Sequence, residues 1–178
     1  MKNLQHTFRK ITIGLFLFLI TFLLLGNRTK AIIIILAFIA IAALSTFYYN
    51  YFHSPVNFEL VKFSTILIAF SYGPLIGITS GIIATILSRI WGSRLDHRVL
   101  ISSAGITMIA LLAATLPIYD IRLLGILLVL AYHAITLPMS IASGDSPAFA
   151  IPYAATNMIF NSIVFFAAAN PAAILMSS

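Results

Sequence analysis

The apolar positions of this chain fall in long unbroken runs rather than in alternation. Seven such stretches can be read, at about 8–25, 31–52, 60–72, 74–91, 99–118, 121–142 and 148–175, each closed by a few polar residues or by Gly and Pro. A helix needs roughly 20 residues to cross the hydrocarbon of a bilayer. The second, fifth, sixth and seventh stretches meet that length, and the first is marginal. The third and fourth are short and share the turn Tyr72-Gly73-Pro74. Proline has no N–H for a continuing helix and restrains the residue before it, so the pattern predicts a break there. In lipid every backbone N–H and C=O must be satisfied within the protein, which leaves helices or a closed barrel. Unbroken runs select helices.

Composition turns that pattern into a fold class. Of 178 residues, 61% are hydrophobic and 8% are charged, against roughly 25% charged in an ordinary soluble domain. A water-soluble globule of this size still exposes close to a third of its unfolded surface, and this chain has too few polar residues to cover it. The expectation is an all-α integral membrane protein, multi-pass in the cell membrane and in contact with lipid. The absence of cysteine excludes disulfides, thiolate metal sites and cysteine nucleophiles. The net charge of +6 rests on ten Lys and Arg placed at segment ends. Anionic headgroups and the positive-inside bias account for that placement, and no nucleic-acid partner is expected.

Lys2, Arg9 and Lys10 followed by an apolar run resemble the start of a secretory signal. The following Gly26-Asn27-Arg28-Thr29-Lys30 lacks a small-x-small cleavage pattern, so an uncleaved segment is expected. The organisation read from the sequence is a basic N-terminus with an extra hydrophobic segment over 1–30, then a six-helix membrane bundle over 31–178.

The most specific stretch runs from Phe58 to Arg89. Gly73, Gly77 and Gly81 recur every four residues and Thr85 continues the row, with Ser80, Ala84 and Ser88 in a second row beside it. Residues four apart share a helix face, and a face with almost no side chain lets membrane helices approach closely. The ridge suits packing within the bundle or docking of a partner subunit.

Val56-Asn57-Phe58-Glu59, a short apolar helix and then Gly73-Pro74-x-x-Gly77-x-x-x-Gly81 resemble the substrate-binding S components of energy-coupling-factor transporters. The resemblance covers 31–178 in helix order and about 56–89 in motif detail. It implies a six-helix S-component-like bundle that binds a small organic, vitamin-like solute and works with an energising complex. The same turn is similar to parts of the rod-shape protein MreD and of five-helix sensor domains, which implies instead a structural or sensory subunit using the Gly ridge against partners. Two departures stand out. Ala37, Ala40, Ala42 and Ala43 include no pair four apart, where the family docks its energising subunit. Lys2 stands where the metal-transporting branch has histidine, which favours an organic solute over nickel or cobalt.

Ionisable groups at a helix centre cost about 2.5–3.5 kcal/mol each on insertion scales, so each needs a reason. Under the family's helix order, Glu59, Lys62, Arg89, Ser102, Ser103, His133, Asn157 and Asn161 all fall towards one side of the membrane, with Asp96, His97 and Asp145 in adjoining loops. The resemblance makes Glu59, His133, Asn157 and Asn161 the substrate-binding candidates, with Tyr132 and Tyr153 as aromatic company. Each has a plainer account: Glu59 and Lys62 as a neutralising pair, the arginines Arg89, Arg94 and Arg98 snorkelling to headgroups, His133 as a core histidine, and the asparagines as interhelical glue. Four carboxylates and scattered histidines show no catalytic or metal-ligating spacing. The chain is therefore expected to be no enzyme and to use no cofactor.

Sidedness gives the first test. Single cysteines are unambiguous in a chain without any, and impermeant thiol reagents are expected to label positions 59, 94 and 145 from one side and position 120 from the other. Labelling of 120 and 145 from the same side contradicts the helix count.

Overall fold

The computed structural model describes residues 27–51, 56–92, 96, 98–118 and 120–177. The extra hydrophobic segment expected at 8–25, and Arg94 and His97, lie outside the described residues. Six α-helices are described: α1 (Asn27–Leu44), α2 (Val61–Tyr72), α3 (Pro74–Trp91), α4 (Arg98–Thr115), α5 (Ile121–Ala142) and α6 (Pro147–Ser177), with a single 3-10 turn at Phe47–Asn50. The chain divides into two units, Met1–Ile34 and Ile35–Ser178; the account below concerns the second. The helices match six of the apolar stretches closely. The first begins at Asn27 rather than residue 31, because the polar Asn27-Arg28-Thr29-Lys30 wind as its first turn.

Five helical stretches, all but α2, are long and apolar enough to cross a membrane. Their outward residues explain why the solvent must be lipid: Leu75, Ile159, Ile163, Phe166 and Ile174 are each more than 60% exposed. In water that surface would be strongly unfavourable. The protein is a multi-pass α-helical membrane bundle whose interior holds polar groups as well as apolar ones. Thr65, Lys62, Asn157 and Asn161 are buried while many leucines and isoleucines face out.

The short helix sits at the centre. At 12 residues, α2 rises about 18 Å and cannot span a bilayer alone. Every residue of its first nine, from Val61 to Ala69, is buried, and α2 packs against α3, α4, α5 and α6. Helix α1 reaches it through Phe38, whose ring lies 6.4 Å from Phe63 and whose carbonyl accepts from Ser64 Oγ at 3.3 Å. The break at Gly73-Pro74 falls as the sequence requires. Gly73 has φ 92° and ψ 167°, a region essentially reserved for glycine, and Pro74 opens α3, where its missing N–H costs nothing.

The six buried residues of α3 are Gly77, Ser80, Gly81, Ala84, Thr85 and Ser88. Both small-residue rows therefore face inward. A Cβ on Gly77 would overlap Ala69, side chain and backbone alike, and one on Gly81 would lie 2.5 Å from Thr65 Oγ1 and 2.6 Å from Ile106. The ridge is filled by α2 and α4 of the same chain. Gly125 and Gly105 play the same part on other helices, against the rings of Phe165 and Tyr132.

At the far end of the bundle Tyr72 Oη donates to the Met176 carbonyl at 3.0 Å, tying the C-terminus of α2 to that of α6. Asp120 caps α5 by accepting from the Arg122 N–H at 2.9 Å. Hydrogen bonds from the Arg122 side chain, and then its backbone, hold the Asp120 carboxyl below the usual carboxylate range. The 22 residues of α5 rise about 33 Å, so Asp120 and the Asp145 loop stand at opposite ends of that helix.

Gly77→Leu or Gly81→Leu is expected to lower stability by about 1–3 kcal/mol through overpacking. Gly73→Ala, which meets no neighbour, is expected to cost a similar ~1–3 kcal/mol through backbone strain alone. Thermal unfolding in detergent reads all three, and unchanged melting temperatures would contradict the packing described.

Candidate functional site

Between the 3-10 turn and α2 the segment 56–60, termed the extended segment for its lack of helical hydrogen bonding, is neither helix nor strand. Non-helical backbone inside a membrane protein survives only where other groups satisfy it. Here side chains meet most of its N–H groups and several of its carbonyls. Tyr48 Oη donates to the Val56 carbonyl at 3.1 Å and accepts from the Phe58 N–H at 2.8 Å. The Asn57 N–H donates to Thr156 Oγ1 at 3.0 Å, and the Leu60 N–H donates to Ser45 Oγ at 3.0 Å. Asn57 Oδ1 accepts from the Glu59 N–H at 3.1 Å.

The carbonyls of the same segment are met by α6. Asn157 Nδ2 donates to the Asn57 carbonyl at 3.4 Å, and Asn161 Nδ2 donates to those of Glu59 and Asn157, both at 3.1 Å. These contacts orient the amides. Asn157 therefore turns Oδ1 towards His133, 2.9 Å from Nε2, so the neutral histidine carries its proton on Nε2. Helices α5 and α6 and the extended segment are joined through this one amide.

The charges gather at the same level. Lys62, 1% exposed, pairs with Glu59 at 3.3 Å and stands 4.5 Å from the Tyr132 ring centroid. The pair does neutralise itself, but inside the bundle rather than at its surface. Arg89 turns inward: its side chain is 13% exposed, Nη2 donates to Ser102 Oγ at 3.0 Å, and Nη1 lies 4.0 Å from Asp96. Arg98 pairs with Asp145 and lies 3.7 Å from Asp96, tying the start of α4 to the loop before α6. Neither Arg89 nor Arg98 snorkels freely, because carboxylates from neighbouring loops hold both.

These residues wall a cavity of about 60 Å³, room for a few water molecules. Glu59, Lys62, Arg89, His133, Tyr132 and Tyr153 are in its wall. A wider hollow of about 360 Å³ adjoins it at the Asp145 loop, with the Arg98–Asp145 pair and Phe149 common to both. A smaller space near Tyr49 and Tyr153, about 10 Å³, suits one water. Tyr49 and Tyr153 stack beside it with centroids 6.4 Å apart.

Of the four substrate-binding candidates, Glu59 and His133 line the cavity, whereas Asn157 and Asn161 stand behind it, fully buried, with their amide N–H groups on the extended backbone. Asn57 is a wall residue that sequence reasoning did not single out. The signal was present, because an Asn side chain readily accepts from the N–H two residues on, which ties Asn57 to Glu59. Among the described residues no three His, Cys, Asp or Glu stand close enough to hold a metal ion. No protein-family model matches the chain, and no curated protein or solved structure matches it either.

Asn161→Ala removes the donor to a buried carbonyl and is expected to cost about 1–3 kcal/mol, or roughly 2–10 °C in melting temperature for a chain of this size. An unchanged melting temperature in detergent would show that the extended segment holds without it.

Proposed function

We propose that the protein is the substrate-binding subunit of a membrane uptake system, residing in the cell membrane and taking a small organic solute. The observation that carries this reading is the partly open cavity with charged groups in its wall at one end of the bundle. Its charged and aromatic wall is assembled from α2, α3, α4, α5 and α6 together with the extended segment. Polar groups in lipid are costly and are kept where they line a pathway or a site. Small-ligand sites combine apolar walls with a few placed polar groups, which is the make-up found here. The helix order and the Gly-Pro turn resembling energy-coupling-factor S components add an energising membrane complex as the partner. A scaffold reading needs an outward docking ridge, and Gly77 and Gly81 are instead buried against Ala69, Thr65 and Ile106.

The test is solute retention. Protein purified in mild detergent from its own host is expected to release a near-stoichiometric small molecule on denaturing extraction, identified by mass spectrometry. Added back at about 100 times its Kd, that molecule stabilises the fold by about 2.7 kcal/mol, or roughly 5–10 °C. Failure to retain any solute, together with a melting temperature indifferent to a vitamin panel, would overturn the reading in favour of a structural or sensory subunit.

A further inference from the structure

The donors in the cavity wall identify the chemistry of the solute, an inference that rests on the solute-binding reading above. Three cations, Lys62, Arg89 and Arg98, stand in the wall with Glu59 and Asp145, and Asp96 lies beside it. Lys62 pairs closely with Glu59 and Arg98 with Asp145. Arg89 is the cation with the loosest carboxylate contact. Among the described residues its nearest carboxylate is Asp96 at 4.0 Å, beyond hydrogen-bond reach and shared with Arg98. One of its five N–H donors goes to Ser102 Oγ.

A second, independent observation points the same way. Asn57 is 1% exposed, lies in the cavity wall, and its Nδ2 has no hydrogen-bond partner. Its amide cannot simply be reversed, because Oδ1 accepts from the Glu59 N–H. A buried amide donor without an acceptor is unfavourable, and an acceptor brought by a solute relieves it. Arg89 and Asn57 thus offer a guanidinium and an amide N–H to one small volume, with Tyr132, Tyr153 and Phe149 supplying its apolar surface.

We propose that the cavity takes a small organic carboxylate, its oxygens accepting from Arg89 and from Asn57 Nδ2 and its body extending past Phe149 towards the wider hollow. A planar guanidinium suits a carboxylate in two-point contact, and Arg89 has N–H donors beyond the one given to Ser102. A lipid headgroup phosphate offers similar oxyanion chemistry, and the test separates the two sources.

The full-length chain, delipidated in dodecyl maltoside, is melted with propionate, with the near-isosteric propionamide, and with chloride at constant ionic strength. Propionate is expected to give a saturable rise in melting temperature and propionamide none. Arg89→Gln is expected to weaken the propionate response at least about tenfold. Where that variant fails to fold, Asn57→Asp decides, since it keeps the acceptor for the Glu59 N–H while replacing the free donor by a carboxylate; its response to propionate is expected to vanish. Absence of a propionate effect, an equal effect from propionamide, or a full response in the variants overturns the carboxylate assignment. Stabilisation by phosphatidylglycerol without any by propionate overturns it too and assigns the site to a headgroup. A neutral solute recovered from the native protein would sink this inference while leaving the solute-binding function standing.

Discussion

Five residues of non-helical backbone, packed against the helices of the bundle, impose a constraint that much of the site answers. Buried backbone N–H and C=O groups without a helical partner must find one elsewhere. The partners come from Ser45, Tyr48, Thr156, Asn157 and Asn161, that is, from both ends of the chain. Their placement fixes where α6 lies against the N-terminus of α2, and with it which wall groups face one another. An amide behind the cavity that satisfies a carbonyl also orients the histidine in its wall. The asparagines at membrane depth thus act mainly as backbone partners.

Tight packing follows from the choice of solvent. Lipid is as apolar as leucine, so helices gain little by hiding apolar side chains and must gain from dispersion and close approach. Small residues make that approach possible at the crossings of α3 with α2 and α4, while Gly105 and Gly125 accept the faces of Tyr132 and Phe165. A 12-residue helix can then sit at the centre, because surrounding helices supply the length and lipid contact that it lacks.

Charge is kept where packing isolates it from lipid. Breaking a buried ion pair by removing one partner is strongly destabilising, and Glu59–Lys62 is buried among the helices at the cavity wall. Arg89 and Arg98 are held by loop carboxylates and a serine. Arg89, whose carboxylate partner stands 4.0 Å away, and Asn57, whose amide donor is unpartnered, belong to the same wall.

Hydropathy and punctuation alone determined the solvent, the six described helices, the short second one and the break at Gly73-Pro74, because run length and proline chemistry are local properties. The inward-facing small residues were legible for the same reason, as spacing on one helix, although which neighbour filled the ridge was not. Sequence also grouped Glu59, His133, Asn157 and Asn161 at one level, since helix order fixes depth. Rotation about each helix axis is a different matter. Which side of α6 faces the cavity, and which faces the extended backbone, depends on hydrogen bonds between residues about 100 positions apart. Only tertiary structure could therefore move the asparagines behind the wall, turn Arg89 inward and leave Asn57 with a donor to give.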